Sequence, residues 1–298
     1  MRLRTSFSVV ILFLASITPT AGAVSKVTNS VVWWGDSLTA GAGGAGITAP
    51  SELQKILKIP VVNKGVGGEG SSAIAARSGA REISLRFFGL GKKEGDWTKY
   101  QVVPDTGILR QGLNVMAGEI QGCVIFLKFE GAGYSAKAFK CQKNLKNKTL
   151  KFKVAGIENL NSKYKVIWSG RNNGGDSATV SSDVAAMISF FKGINPKVKV
   201  YVLSVINGAG EGRGSGTYAG INAVNQALST LDANYIDVRR CLIDEGLDVN
   251  NLTSSEQDIL DIENDLVPER LRSDGIHLNS YGYHAVAYCV SQAMKLTS

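Results

Sequence analysis

The pattern of apolar and polar residues divides much of the chain into two kinds of segment, which alternate. Short apolar runs, typical of buried strands, occur at SVVWWG (30–35), IPVVNKG (59–65), KYKVIWSG (163–170), KVKVYVLSVING (197–208) and NYIDVRRCL (234–242). Apolar residues recur at helical spacing in SELQKIL (51–57), SSDVAAMISFFKGI (181–194), YAGINAVNQALSTL (218–231) and YGYHAVAYCVSQAMKL (281–296). This alternation predicts an α/β fold, in which a doubly wound parallel sheet is flanked by helices on both faces.

Residues 90–165 interrupt the alternation. They show little helical periodicity, and segments such as GLNVMAGEIQGCVIFLKFEG (112–131) and KTLKFKVAGI (148–157) are typical of short strands joined by turns. We therefore expect an inserted, mainly antiparallel β subdomain over 90–165. The flanking segments 24–89 and 166–298 would together form the α/β domain.

Four of the predicted strands end in glycine-rich polar loops. These loops are GDS (35–37), NKGVGGEG (63–70), SGRNNGG (169–175) and INGAGEG (206–212). Binding sites in parallel sheets form at the carboxyl ends of the strands, and glycine lets backbone N–H groups approach a ligand closely. Ser37 is thus a candidate nucleophile. Gly, Asp and Ser are also ordinary turn and N-cap residues, and for Asp36 we expect the capping role.

A serine nucleophile needs a base, and the chain has only two histidines, both in SDGIHLNSYGYHAVAYCV (273–290). His277 follows Asp274 by three residues in a predicted loop, so the carboxylate can accept a hydrogen bond from the imidazole Nδ1–H and leave Nε2 free for the serine proton. His284 falls within the last helical pattern. We expect His284 to be a packed or surface helix residue.

Four separated blocks resemble the SGNH hydrolases, also called GDSL esterases or lipases. The blocks are GDSL (35–38), NKGVGGEG (63–70), GRNN (170–173) and DGIHLN (274–279), and their order at strand ends matches the family from residue 31 to the C-terminus. The segment from about 90 to 165 has no counterpart in the family's minimal members. The resemblance implies an SGNH, flavodoxin-like fold and hydrolysis of O-acyl esters without a cofactor.

The resemblance also implies a role for individual residues. Ser37 would be the nucleophile, and Asp274 and His277 would complete a catalytic triad. The oxyanion hole would consist of the Ser37 and Gly68 backbone N–H groups and the Asn172 side chain; Gly68 follows the asparagine of its block by five residues. The family usually has aspartate where this chain has Asn173, a change that leaves Asn172 in place but alters the local hydrogen bonding.

The first residues predict export from the cytoplasm. A basic start, the apolar run FSVVILFLASI and the small residues of TPTAGA form a signal peptide over 1–23, cut after Ala23, so we expect a periplasmic or secreted protein of about 275 residues. No later segment approaches the length of a membrane span. Four cysteines fit an oxidising compartment. Of three possible pairings we favour Cys123 with Cys141 and Cys241 with Cys289, because each pair joins one structural unit; buried free thiols are the alternative.

The charge of the chain is uneven. Residues 121–165 hold ten lysines against Glu130 and Glu158, a net charge of +8 that equals the formal charge of the whole chain. This lysine-rich region could hold an anionic glycan or a membrane surface, or could simply be a solvated face. The four cysteines are too widely spaced for a zinc site, and the sequence has no other cluster of metal-ligating residues. No nucleic-acid-binding module is recognisable. The oligomeric state is not determined by the sequence.

We expect a short-chain O-acyl ester substrate, above all an acetyl ester, carried by a small molecule or a polysaccharide, because no long apolar lid is present. Two alternatives stay open. One is a lipid-directed esterase or lysophospholipase, which would prefer long acyl chains. The other is a non-catalytic glycan-binding protein on a hydrolase scaffold, against which the complete set of Ser37, Asp274 and His277 argues.

Overall fold

The structure is a computed structural model, and it describes residues 27–105, 116–130, 133–155 and 161–296. The predicted signal peptide and its cleavage point lie outside these residues. Within them, no helix is long and apolar enough to cross a membrane.

Five strands form one parallel sheet. They are β1 (Thr28–Gly35), β2 (Val61–Gly65), β9 (Ser162–Trp168), β10 (Lys199–Leu203) and β11 (Asn234–Ile236), where β3 to β8 denote the intervening strands described below. The order across the sheet is β11-β10-β9-β1-β2, and each neighbouring pair is parallel. The predicted parallel sheet is therefore confirmed.

Helices cover both faces of this sheet. In chain order they are α1 (Ser37–Ala40), α2 (Ala49–Leu57), α3 (Ser71–Ser78), α4 (Ser177–Ile194), α5 (Tyr218–Ser229), α6 (Val238–Asp244), α7 (Gly246–Val249), α8 (Glu256–Glu263) and α9 (Ser280–Leu296). Alternate side chains of a strand point to opposite faces. Accordingly Trp33 belongs to the core cluster that includes α9 residues, whereas Trp34 belongs to the cluster that includes α4 residues.

The remaining strands close into an antiparallel barrel. They are β3 (Ile83–Glu94), β4 (Trp97–Pro104), β5 (Met116–Ile120), β6 (Cys123–Glu130), β7 (Gly133–Phe139) and β8 (Thr149–Val154), in the order β3-β4-β7-β6-β5-β8. Inward side chains such as Phe87, Ile125 and Phe152 form a separate core. An inserted antiparallel subdomain is thus confirmed.

The ends of the barrel differ from the 90–165 expected for the inserted region. Its first strand begins at Ile83, and its last strand ends at Val154. Lys163 and Lys165, counted with the lysine-rich region, lie on β9 of the parallel sheet. In the first barrel residues, ISLRFF, buried side chains alternate with half-buried or exposed ones, which is the pattern of a strand buried on one face only. The division into domains stays a prediction.

One predicted strand is wrong in its second half. NYIDVRRCL forms β11 only up to Ile236, and α6 begins at Val238, because Asp237 caps the helix by accepting a hydrogen bond from the Arg240 N–H at 3.0 Å. Helices α3 and α8 were not predicted either. Both are eight residues long.

Both favoured disulfide pairings are confirmed. Cys123 is bonded to Cys141 within the barrel, and Cys241 on α6 is bonded to Cys289 on α9. The described residues contain no free cysteine. The second bond joins α9, the helix that follows the His277 loop, to α6.

Candidate active site

Ser37 lies where β1 turns into the short helix α1. Asp36 is the N-cap of that helix, and its Oδ1 accepts a hydrogen bond from the Leu38 N–H at 3.0 Å. The capping role expected for Asp36 is confirmed. As the first residue of the helix, Ser37 also carries one of the N-terminal N–H groups that have no acceptor within the helix.

The histidine loop reaches Ser37 from the far end of the chain. His277 Nε2 lies 3.0 Å from Ser37 Oγ, and His277 Nδ1 lies 2.9 Å from Asp274 Oδ2. Asp274 Oδ1 accepts hydrogen bonds from the Ile276 and His277 N–H groups, each at 2.7 Å. The three side chains proposed from sequence are therefore in hydrogen-bonded contact, with the imidazole between a carboxylate and a hydroxyl.

The other histidine lies on α9. His284 Nδ1 is 3.1 Å from Asn250 Oδ1, at the end of the short helix α7. This contact joins two helices. His284 is thus a half-buried residue of the last helix, in line with the expected packed or surface helix position.

The loop after β2 presents backbone to Ser37. The Glu69 N–H and the Val66 carbonyl, 3.5 Å apart, close a turn with Gly67 and Gly68 at its centre. Gly68 has φ +73°, a left-handed conformation that glycine adopts without strain. A Cβ added at Gly67 would lie 3.8 Å from the Ser37 Cβ. The Gly67 end of this turn therefore lies beside the serine without a side chain of its own.

Asn172 connects the third loop to the second. Its Nδ2 donates a hydrogen bond to the Glu69 carbonyl at 2.9 Å, in a one-turn 3₁₀ helix that spans Arg171–Asn173. A side-chain amide nitrogen carries two N–H groups. One of them is held by this carbonyl, which fixes the amide, and the other is left to donate elsewhere.

Asn173 has a structural partner that suits an amide better than a carboxylate. Its Oδ1 accepts from the Ser71 N–H, and its Nδ2 donates to the Ser71 Oγ, both at 2.9 Å. The Ser71 hydroxyl in turn donates its own proton to the buried Asp183 at 2.7 Å. An aspartate at position 173 could not donate to that hydroxyl, so this network depends on the asparagine.

Burial and local bonding shift two carboxyl groups of the site in opposite directions. Burial raises the pKa of Asp36 to about 7, although the Leu38 N–H and the positive charge of Arg171 oppose the rise. The backbone and ring N–H groups of His277 lower the pKa of Asp274 to about 2, together with the Ile276 N–H. Asp274 thus stays a carboxylate over the whole physiological range, beside the imidazole it orients.

Two ion pairs at the site were not predicted from sequence. Arg77 donates to the buried Glu69 carboxylate, with Nη2 2.8 Å from Oε2, and also to the Gly35 carbonyl at 3.3 Å. The Arg77 guanidinium lies 5.2 Å above the ring of Trp34. These contacts tie α3 to the end of β1. The only sign of this ion pair in the sequence was Glu69, the one acidic residue of the block NKGVGGEG.

The second unpredicted pair involves the fourth loop, INGAGEG. Arg171 Nη2 donates to the Glu211 carboxylate at 3.0 Å, and the same carboxylate accepts from the Gly208 N–H at 2.6 Å. The Ala209 N–H donates to the Gly275 carbonyl at 2.8 Å. These bonds connect the GRNN loop to the DGIHLN loop. The loop was recognised as a strand end, but its composition did not reveal this bracing role.

Comparisons with known proteins found similar solved structures. No family model matches the chain, and no curated protein matches it. A solved structure described as a lipolytic protein of the G-D-S-L family from Desulfitobacterium hafniense has 13% identity and a TM-score of 0.50, over 89% of this chain and 99% of that one. A lipase/acylhydrolase from Enterococcus faecalis has 12% identity and a TM-score of 0.46, over 91% and 97%. A carbohydrate esterase family 2 enzyme with a carbohydrate-binding domain, from Corynascus thermopiles, has 13% identity and a TM-score of 0.46, over 94% of this chain and 68% of that one.

At 13% identity, the similarity to the Desulfitobacterium hafniense structure shows the fold alone. It covers nearly the whole of both chains, and the sheet order and flanking helices described above provide the same architecture. The chain therefore has the fold of this G-D-S-L family protein, with a six-stranded β-barrel inserted between the second and third strands, in chain order, of its parallel sheet.

Proposed function

We propose that the protein is a serine esterase that hydrolyses short-chain O-acyl esters. The observation that carries the proposal is the chain of contacts from Asp274 through His277 to Ser37. Ser37 Oγ attacks the ester carbonyl while His277 Nε2 takes its proton, and Asp274 stabilises the imidazolium that forms. The histidine then returns the proton to the departing alcohol, and water repeats the sequence to release the acid.

The proposed oxyanion hole is made by the Ser37 N–H, the Gly68 N–H and Asn172 Nδ2. Two features support it: the Ser37 N–H stands at a helix N-terminus, and the Asn172 amide is fixed through one of its two N–H groups. Donors held in place before the reaction stabilise the developing negative charge without reorganising. The assignment of Gly68 rests on its position in the motif and on the turn, in which Gly68 has a positive φ and no side chain covers the backbone.

Substrate class and compartment are the finer parts of the proposal. We infer a small acyl group, above all acetyl, on a carbohydrate encountered outside the cytoplasm. The compartment rests on the expected export signal and on the two disulfides, which are stable in an oxidising compartment. The small acyl group rests on the lack of a long apolar lid in the sequence. Contact between the lysine-rich region and an anionic polymer stays a prediction, and several of its lysines are engaged by acidic neighbours, such as Lys137 by Glu94 and Lys151 by Glu82.

A series of p-nitrophenyl esters from acetate to palmitate tests the proposal. We expect kcat/KM to be highest for acetate and to fall as the acyl chain lengthens, with acetate release from O-acetylated polysaccharides as the second step. A preference for long chains would favour the lipid-directed alternative. No turnover of any ester by a folded protein that still binds glycans would favour the non-catalytic one. Ser37→Ala protein measures the background.

A further inference from the structure

The β3–β4 hairpin carries an apolar patch on the outside of the barrel. Phe88, Leu90 and Val103 are exposed by 39%, 82% and 54%, and all three belong to this one hairpin. Phe88 and Leu90 border one groove, and Val103 lies on β4 two residues beyond Gln101, the partner of Phe88. Exposed apolar side chains are common singly, but a group of them on one hairpin marks an interaction surface. The patch lies outside the Ser37 site and has no part in the proposed chemistry.

The local fold forces Leu90 outward. The β3–β4 register shifts between Phe88 and Lys92, so the chain makes a bulge there. At Gly91 the backbone passes so close to β4 that an added Cβ would lie 2.4 Å from the Thr98 side chain and 2.6 Å from the Tyr100 ring. The bulge therefore has its inner side against β4 and its leucine in solvent. Leu90 is presented by the backbone rather than left exposed by a loose loop.

Cationic side chains surround the patch. Arg86 lies 5.1 Å above the Phe88 ring, and the exposed Lys92 and Lys93 follow the bulge directly. Lys92 lies opposite Lys99, and both line a groove of about 320 Å³ that Phe88 and Leu90 border.

The acidic residues of this hairpin have cationic neighbours on β7 or just beyond it. Glu94 is bonded to Lys137 at 2.9 Å, and Asp96 lies 3.7 Å from Lys140. Lys99 is bonded to Glu130 on β6. Among the described residues, Lys92 and Lys93 have no ion pair within 4.0 Å, although Lys92 acts on Glu94 across the groove that both line. The two lysines therefore keep their ammonium groups free for a partner beside Leu90.

We propose that the β3–β4 hairpin docks the protein on a lipid bilayer that contains anionic lipids. An exposed aliphatic side chain beside lysines gains free energy by entering the acyl boundary, while the lysines attract the lipid phosphates. A polysaccharide offers the charge but no apolar medium for Leu90 and Phe88. Stable attachment needs both signals, and this hairpin has both.

Co-sedimentation with vesicles tests the proposal, using phosphatidylcholine alone or mixed equally with phosphatidylglycerol. We expect binding to the mixed vesicles only, weakened at least about tenfold by Leu90→Ser with Phe88→Ser, and by about fivefold for each charge removed in Lys92→Gln and Lys93→Gln. The matched control is Ile259→Ser with Leu260→Ser, exposed by 49% and 51% on α8, which should bind as the wild type does. Ser37→Ala protein should also bind normally, which separates docking from hydrolysis.

Trp97 gives a second readout. The other three tryptophans of the chain are at most 2% exposed, whereas Trp97 begins β4 and is half-buried. Its emission should shift to the blue on mixed vesicles, and Trp97→Phe should abolish the shift. Thermal unfolding checks that each variant is folded. No binding at low ionic strength, binding that survives the loss of Leu90 and Phe88, or binding of polygalacturonate with the same dependence on them would overturn the proposal.

Discussion

Asp274 holds His277 at two points. One carboxylate oxygen contacts the ring Nδ1 at 2.9 Å, and the other accepts the backbone N–H of the same residue at 2.7 Å. The three-residue spacing makes both contacts possible, since the loop curls back on its own carboxylate. The imidazole is thereby fixed in position and tautomer, with Nε2 directed at Ser37.

Replacing Asp274 with asparagine should preserve the loop but misorient the proton on the ring. We expect kcat to fall by about 10³–10⁴ with little change in KM. Because the pKa of Asp274 is lowered to about 2, its ionisation should leave no step in the pH–rate profile above pH 3. Stopped assays from pH 4 to 9 measure both effects. A variant within a few-fold of the wild type would show that the carboxylate does not orient the base.

The two adjacent asparagines should have separable effects. Asn172→Ala should lower kcat by about 10²–10³, because one proposed oxyanion donor is lost, and should change KM little. Asn173→Asp should instead lower stability by about 1–3 kcal/mol, because the Ser71 hydroxyl loses its donor and a carboxylate is added near Asp183. Kinetics and urea unfolding of both variants distinguish the two roles. Equal losses of kcat in both variants would contradict a catalytic role for Asn172 alone and a structural role for Asn173.

Asp36 should make stability depend on pH. Burial raises its pKa to about 7 in the folded protein, against about 3.9 in the unfolded chain. The folded state then holds the proton more tightly than the unfolded chain does. The contribution of Asp36 to the free energy of unfolding is therefore fully present below about pH 4 and is lost as the pH rises through about 7. A shift of about three units corresponds to at most about 4 kcal/mol.

Asp36→Asn removes this titration and keeps a side chain that can cap α1. The free energy of unfolding of the variant should therefore rise relative to the wild type between pH 4 and 8. Urea unfolding at several pH values in that range measures the difference. Parallel curves for the two proteins would contradict the buried, protonated carboxyl.

The disulfides should contribute unequally to stability. The bond between Cys241 and Cys289 closes a loop of 48 residues, and that between Cys123 and Cys141 a loop of 18. Loop-closure entropy predicts losses of about 4 and about 3 kcal/mol when each pair is changed to serine. Urea unfolding of the paired variants compares the two. Mass spectrometry under non-reducing conditions checks the bonds first, and four alkylatable thiols in the mature protein would contradict both.

The regular parts of the fold were predictable because they follow from periodicity. The strands of the parallel sheet and the four long helices carry clear apolar patterns, and the cysteine pairs followed from their grouping along the chain. The catalytic candidates were predictable for a different reason. Three of the four motifs fall at strand ends, and a parallel sheet brings such ends to one edge, whereas DGIHLN lies in the loop before α9 and was found from its His and Asp spacing.

What sequence could not provide depends on contacts between distant segments. The Arg171–Glu211 and Arg77–Glu69 pairs join residues 40 and 8 positions apart, and no local pattern distinguishes them from other charged residues. The barrel's first strand was missed because ISLRFF precedes the change in composition by several residues. Short helices such as α8 begin at a cap that lies outside any long periodic pattern.

Covalent labelling tests the central claim most directly, because it identifies the nucleophile without knowledge of the natural substrate. An alkyl phosphonofluoridate should lose fluoride and bond to Ser37 Oγ, giving one adduct per molecule that peptide mass spectrometry locates at Ser37, together with complete loss of p-nitrophenyl acetate hydrolysis. His277→Ala should label far more slowly, and Ser37→Ala should neither label nor hydrolyse the ester. An adduct at another residue, or wild-type hydrolysis by Ser37→Ala protein, would contradict the account.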